Sequence, residues 1–168
     1  IIHRSIVGEN GSGHGDLSHA SQVDALRSFR IAYDFSIGGQ TDHFNVAFSL
    51  WLTDRPGGKP KHLNTEIMVW VHDGRFNPAG DKVGRHGSGP LKGDVHYGPE
   101  QGDMSGQNDN VWRCIALRTD KDVLKGTIDF VDILRTFKSL GLISGREYVS
   151  GYEIGAEVRD AFVAADPG

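Results

Sequence analysis

The sequence predicts an all-β chain, a β-sandwich of jelly-roll type with one late helix. Three observations predict it. Several segments alternate apolar and polar residues with the period of two that a pleated strand imposes. Glycine is frequent, at 23 of 168 residues, and much of it falls between those segments as turn punctuation. A single stretch carries an apolar stripe at helical spacing, and it lies late in the chain. Many strands and one helix fit packed β layers better than an alternation of strands and helices.

The elements follow in order. Residues 1–24 are polar and rich in glycine (Gly8, Gly11, Gly13, Gly15) and read as a loosely structured arm. Phe29, Ile31, Tyr33, Phe35 and Ile37 alternate with polar or small residues, which gives a strand. Residues 38–42 turn the chain. Phe44, Val46, Phe48, Leu50 and Leu52 then face one way, and Asn45, Ala47, Ser49, Trp51 and Thr53 the other. Residues 54–61, with Pro56 and Pro60, form a loop. In the next strand Thr65, Ile67, Val69 and Val71 face a core, so Glu66, Met68, Trp70 and His72 share the opposite face. Residues 73–110 offer only short strand candidates near Lys82-Val83 and Asp94 to Tyr97; His96 and Tyr97 read as cleft wall or as solvated loop. Residues 111–118 form another strand. Gly126 to Leu140 is predicted as the helix: Phe130, Ile133, Leu134 and Phe137 make one stripe, and Gly141 stops it. A last strand runs from Tyr148 to about Val158.

Composition bounds the function. The 168 residues form one domain, 1–168, large enough for a core without staples. A net charge of −4 argues against a nucleic-acid partner, which needs a basic face. No apolar stretch reaches the length of a membrane span. The chain starts at Ile1 with no leader, which reads as a processed or trimmed product. Cys114 is alone and sits in an apolar run as a small core residue. The eight histidines include no pair at helical metal-ligand spacing, so no metal or cofactor is expected.

The informative residues are two glutamates on strands. Glu66 shares its face with an indole, Trp70, on a surface with much apolar area. Glu157 ends the run Glu153-Ile154-Gly155-Ala156-Glu157, and Glu153 shares its face. A lone strand glutamate is ordinarily solvated. Two carboxylates across a cleft, beside aromatic rings, are what glycosidic hydrolysis needs. Trp51 and Trp70 read as sugar platforms or cleft wall, or as ordinary buried aromatics. Trp112 reads as core or as cleft wall, and Met68 as a contact under a sugar or a gap-filler. Asn45, Ser49 or a nearby Trp N–H are candidate donors that would keep Glu66 ionised.

The run Glu66-Ile67-Met68-Val69-Trp70 resembles the nucleophile strand of family-12 glycoside hydrolases, the jelly-roll endo-β-1,4-glucanases and xyloglucanases. Gly155-Ala156-Glu157, nine positions after Tyr148, resembles the strand of that family's acid/base, and Glu153 to Glu157 is similar to thermophilic bacterial members in particular. Phe44 to Phe48 with Trp51 and Thr53, Asn77-Pro78-Ala79-Gly80, and the helix before the last strand fit as well. The resemblance covers roughly residues 25–160. It implies a concave substrate cleft, Glu66 as nucleophile and Glu157 as acid/base. Trp51, Trp70, Met68, Asn45, Ser49, Glu153 and Trp112 are the candidate substrate-binding residues. It implies a secreted, monomeric enzyme that acts on β-glucan without cofactor. The spacing from Tyr148 favours Glu157 over Glu153.

Two departures stand out. Ser49 occupies the position where the family places an acidic neighbour of the nucleophile, and the family's early and final strands have no clear counterpart. They motivate an alternative, a non-catalytic carbohydrate-binding jelly roll. A polysaccharide lyase would instead want a basic cleft, which the net charge and the two glutamates disfavour.

Overall fold

The computed structural model describes residues 4–5, 21–56, 60–87, 89–102 and 110–158. Its strands are β1 (Arg4–Ser5), β2 (Arg30–Asp34), β3 (Val46–Thr53), β4 (Leu63–His72), β5 (Asp81–His86), β6 (Gly93–Gly102), β7 (Val111–Thr119), β8 (Lys125–Asp129) and β9 (Tyr148–Gly155). Among the described residues one α-helix, α1 (Phe130–Ser139), joins β8 to the segment before β9. Seven strands form a sheet in the order β1-β9-β3-β4-β7-β6-β5, and β2 pairs with β8 in a second layer. Every neighbouring pair is antiparallel except β4 and β7. This is the all-β jelly-roll sandwich with one helix that the sequence predicts.

Period-two patterning gives the large sheet two unlike faces. Phe48, Leu50 and Leu52 of β3, Ile67, Val69 and Val71 of β4, and Ile115 and Leu117 of β7 all point one way. They meet Ile31 and Tyr33 of β2, Ile128 of β8, and the α1 stripe of Phe130, Ile133, Leu134 and Phe137. Burying each such side chain is worth roughly 1.5–3 kcal/mol, so this face holds the sandwich together. The other face carries a smaller cluster of Ala47, Met68, Trp70, Cys114 and Ala116, with Phe76 packed on it. No second layer of the described chain covers that face, and it carries the glutamates.

The structure corrects four element boundaries. Residues 125–129 are strand rather than the first turn of the helix: β-branched Thr127 and Ile128 pair with β2. Asp129 is the helix N-cap, its carboxylate accepting from the backbone N–H groups of Val131 and Asp132. Asp129→Ala should therefore cost about 1 kcal/mol, read as a lower urea midpoint at unchanged slope. The glycine-rich region 73–110 holds two strands longer than its weak alternation suggests. Gly93 explains part of this, because a Cβ there would lie 2.0 Å from the Arg118 carbonyl oxygen of β7. Tyr97 packs against the main core and His96 is buried on the opposite face, so neither is loop. Finally, β9 ends at Gly155, which leaves Glu157 beyond the strand.

Of the expected arm, Arg4 and Ser5 pair with Ile154 and Glu153, and Gln22 bridges to Tyr148. Its glycines lie outside the described residues, as do residues 57–59 of the loop after β3.

Candidate active site

Strand register assembles the site. Trp51 on β3 lies opposite Glu66 on β4, which lies beside Cys114 on β7. The next row runs Glu153, Ser49, Met68, Ala116. On the far side of β3, the register that pairs Ala47 with Gly155 and bridges Phe44 to Val158 sets Asn45 opposite Glu157. Alternation then turns all these side chains toward one cleft.

The cleft has two lobes. One is lined by Asn45, Ser49, Trp51 and Glu153 together with Ala47, Gly155 and Ala156. The other is lined by Trp70, Trp112, Gln101 and Cys114 together with Ala79 and Gly102. Glu66, Met68 and Glu157 line both. The two glutamates therefore stand where the lobes meet, whereas Glu153 borders only one.

Glu66 is gripped at both oxygens. Ser49 Oγ–H donates to Oε1 at 3.0 Å, and Trp112 Nε1–H donates to Oε2 at 3.0 Å. Burial nevertheless pushes its carboxyl from the ordinary 4.5 up to about 7. The two donors oppose the rise, and the negative charges of Glu157 and Glu153 add to it. The sequence reading required an ionised Glu66; desolvation instead raises its carboxyl into the neutral range, because two neutral donors do not offset it.

Glu157 is exposed and is held by one residue. Asn45 Nδ2–H donates to its Oε2 at 2.6 Å, Asn45 Oδ1 accepts its backbone N–H at 2.7 Å, and the Asn45 N–H donates to its carbonyl at 3.0 Å. Of the three candidate donors to Glu66, Ser49 and a Trp N–H, that of Trp112, serve it, and Asn45 serves Glu157 instead. The segment that carries Asn45 is pinned in turn by His72, whose Nε2 lies 2.6 Å from Thr41 O and whose Nδ1 lies 2.9 Å from Asp122.

The structure decides among the alternatives open for each aromatic. Trp51 and Trp112 are both part-exposed and meet edge-on, with centroids 5.3 Å apart, as a wall beside Glu66. Trp70 offers no open ring face: it is 2% exposed, packed edge-on by Phe76, and its Nε1 has no hydrogen-bond partner. Met68 is 7% exposed and forms the floor. Cys114 is buried beside Glu66, and burial pushes its thiol up, so it carries no thiolate. Sequence reasoning missed Ala47, Gly155 and Ala156, although parity with Ser49 and Glu153 marks the first two. Gln101 and Gly102 gave no signal, because β6 lacks an apolar alternation. Among the described residues no group of His, Cys, Asp and Glu is arranged to hold a metal, and no helix is long and apolar enough to cross a membrane.

No family model and no curated protein sequence matches this chain. Solved structures do. A family-12 xyloglucanase from Bacillus licheniformis superposes with a TM-score of 0.69 at 21% identity, over 84% of this chain and 60% of that one. Endoglucanase 3 of Trichoderma harzianum, from the same family, gives 0.67 at 18% identity over 83% and 59%. An endoglucanase of Rhodothermus marinus gives 0.60 at 19% identity over 83% and 58%. The fold is that of the family-12 glycoside hydrolases, and the chain spans about 60% of the length of the first of these structures.

Proposed function

We propose that this chain is a retaining, endo-acting β-1,4-glucanase with Glu66 as nucleophile and Glu157 as acid/base. One observation carries the reading: the two glutamates are shared by both lobes of one open cleft. A chain lying across both lobes would present an internal linkage to them.

In the first step one Glu66 oxygen attacks the anomeric carbon. The glycosidic C–O bond breaks, its electron pair stays on the departing oxygen, and Glu157 supplies that oxygen's proton. In the second step Glu157 takes a proton from water, water attacks the same carbon, and Glu66 leaves as carboxylate. The Ser49 and Trp112 donors stabilise that carboxylate. Retention requires the carboxyl groups to stand roughly 5–5.5 Å apart in the productive complex.

The substrate class follows from what lines the cleft. Aromatic edges and three carboxylates suit a neutral sugar chain, while a polyuronate would meet Glu66, Glu153 and Glu157 with no cation among the described lining residues. The fold neighbours are named as xyloglucanases and endoglucanases, so cellulose, mixed-linkage glucan and xyloglucan are the substrates to try, and a polymer of that size implies action outside the cell. Reducing-sugar release should occur on at least one of them, with the β-anomer as first product by NMR. An initial α-anomer would mean inversion, and activity confined to alginate or pectate would end the glucanase reading.

The raised Glu66 sets the pH profile. Attack needs the ionised form, so the acidic limb of kcat/KM should rise about tenfold per pH unit toward pH 7, and loss of the Glu157 proton should bring the rate down on the alkaline side. Ser49→Ala removes one donor to the charged form and should move that acidic limb up by about one pH unit. A limb near the ordinary glutamate value, unmoved by the substitution, would contradict the assignment.

A further inference from the structure

We infer that Asn45 is a positioning residue that directs the acid proton of Glu157 to Oε1. The inference rests on the acid/base reading of Glu157 proposed above. Glu157 lies past the end of β9 and is exposed, and among the described residues no strand on its outer side orients its carboxyl. Asn45, fully buried, takes that task with three hydrogen bonds to the one residue.

The chemistry of the donors fixes the rest. A backbone N–H can only donate, so the Glu157 N–H must meet the amide oxygen of Asn45, at 2.7 Å. That choice removes the usual ambiguity of an asparagine flip. It leaves Nδ2, which can only donate, 2.6 Å from Glu157 Oε2. Oε2 must therefore accept. When Glu157 is protonated to act as an acid, its proton sits on Oε1, the oxygen Asn45 does not hold. Asn45 thus decides which oxygen delivers the proton as well as where the carboxyl stands, and a misplacement of about 1 Å at such a group can cost roughly 10²-fold.

Two variants and two substrates test this. Asn45→Ala removes both side-chain bonds. Asn45→Asp keeps the acceptor for the Glu157 N–H and replaces the donor with a carboxylate facing Oε2. On unactivated β-glucan, kcat should fall roughly 10²-fold in both variants with KM unchanged. On dinitrophenyl β-cellobioside the leaving group departs without a proton, so kcat/KM, which reports the first bond cleavage, should stay near the wild-type value. If Asn45→Ala unfolds, Asn45→Asp decides alone, because its loop anchor is intact. Equal loss on both substrates in Asn45→Asp, or full glucan activity in that variant, overturns the inference and leaves the glucanase reading standing. A wild-type chain that cleaves neither substrate overturns the glucanase reading itself.

Discussion

Glu66→Gln should lose turnover on β-glucan by at least about two orders of magnitude and should at the same time stabilise the fold. The loss follows from chemistry: an amide cannot attack the anomeric carbon and leave as a carboxylate. The gain follows from linkage. Native Glu66 keeps its proton up to about pH 7, while in the unfolded chain it titrates at its ordinary 4.5. Between those values the native chain binds more protons than the unfolded one, so stability falls as pH rises, and above pH 7 the full deficit is present. A shift of that size corresponds to about 3 kcal/mol. Glutamine carries no such deficit, and it suits the same partners. Its oxygen accepts from Trp112 Nε1–H, and its amide N–H donates to Ser49 Oγ. Urea unfolding of both proteins at pH 4 and pH 8 measures the effect. The variant should gain about 3 kcal/mol relative to wild type between those pH values. A stability difference that does not grow with pH would show that burial leaves Glu66 ionised, and near-normal turnover would remove it from the mechanism.

This trade has a structural cause. A carboxylate pressed between Trp51, Trp112 and Cys114 gives up solvation that Ser49 and Trp112 only partly return. A protonated carboxylic acid at position 49 would bring a stronger donor, and Ser49 supplies only a neutral hydroxyl. With Glu66 as the proposed nucleophile, the expected rate at neutral pH is bounded by how much of it is ionised there.

Parity made the central part of the molecule legible. From residues 46–53 and 63–72 a period of two separates Leu50, Leu52, Ile67 and Val69 from Ser49, Trp51, Glu66 and Met68, and the structure has them on those opposite faces. The helix start was misread because Thr127 and Ile128 run into the helical stripe with no glycine or proline between them; Asp129, the N-cap, was the available signal. β5 and β6 were obscured because glycine there serves close backbone approach, which leaves no apolar alternation to read. Trp70 stayed open between platform, cleft wall and buried ring because parity fixes a face but says nothing of a neighbour such as Phe76 packed against it. The partnership of Asn45 with Glu157 spans 112 positions of sequence and depends on register between β3 and the end of β9, which no local pattern records.

Glu157→Gln should match Glu66→Gln in its loss on unactivated glucan, at least about two orders of magnitude, while Glu153→Gln keeps most of its turnover. The Gly-x pattern and strand parity do not separate these glutamates, since both follow the pattern and both face the cleft; only the spacing from Tyr148 favours Glu157. Position in the cleft does. Glu157 lines both lobes and is held by Asn45; Glu153 lines one lobe, at the row of Ser49 and Ser5. Glu153 still acts on the site through its charge, which helps to raise Glu66. Removing that charge makes Glu66 easier to ionise, so the acidic limb of kcat/KM in Glu153→Gln should move to lower pH at little cost in the maximal rate. Glu157→Gln removes the proton donor itself, and no pH restores it. Rate profiles of the two variants on one soluble glucan separate the roles. An inactive Glu153→Gln beside an active Glu157→Gln would exchange them, and would move the point of cleavage into the lobe of Trp51.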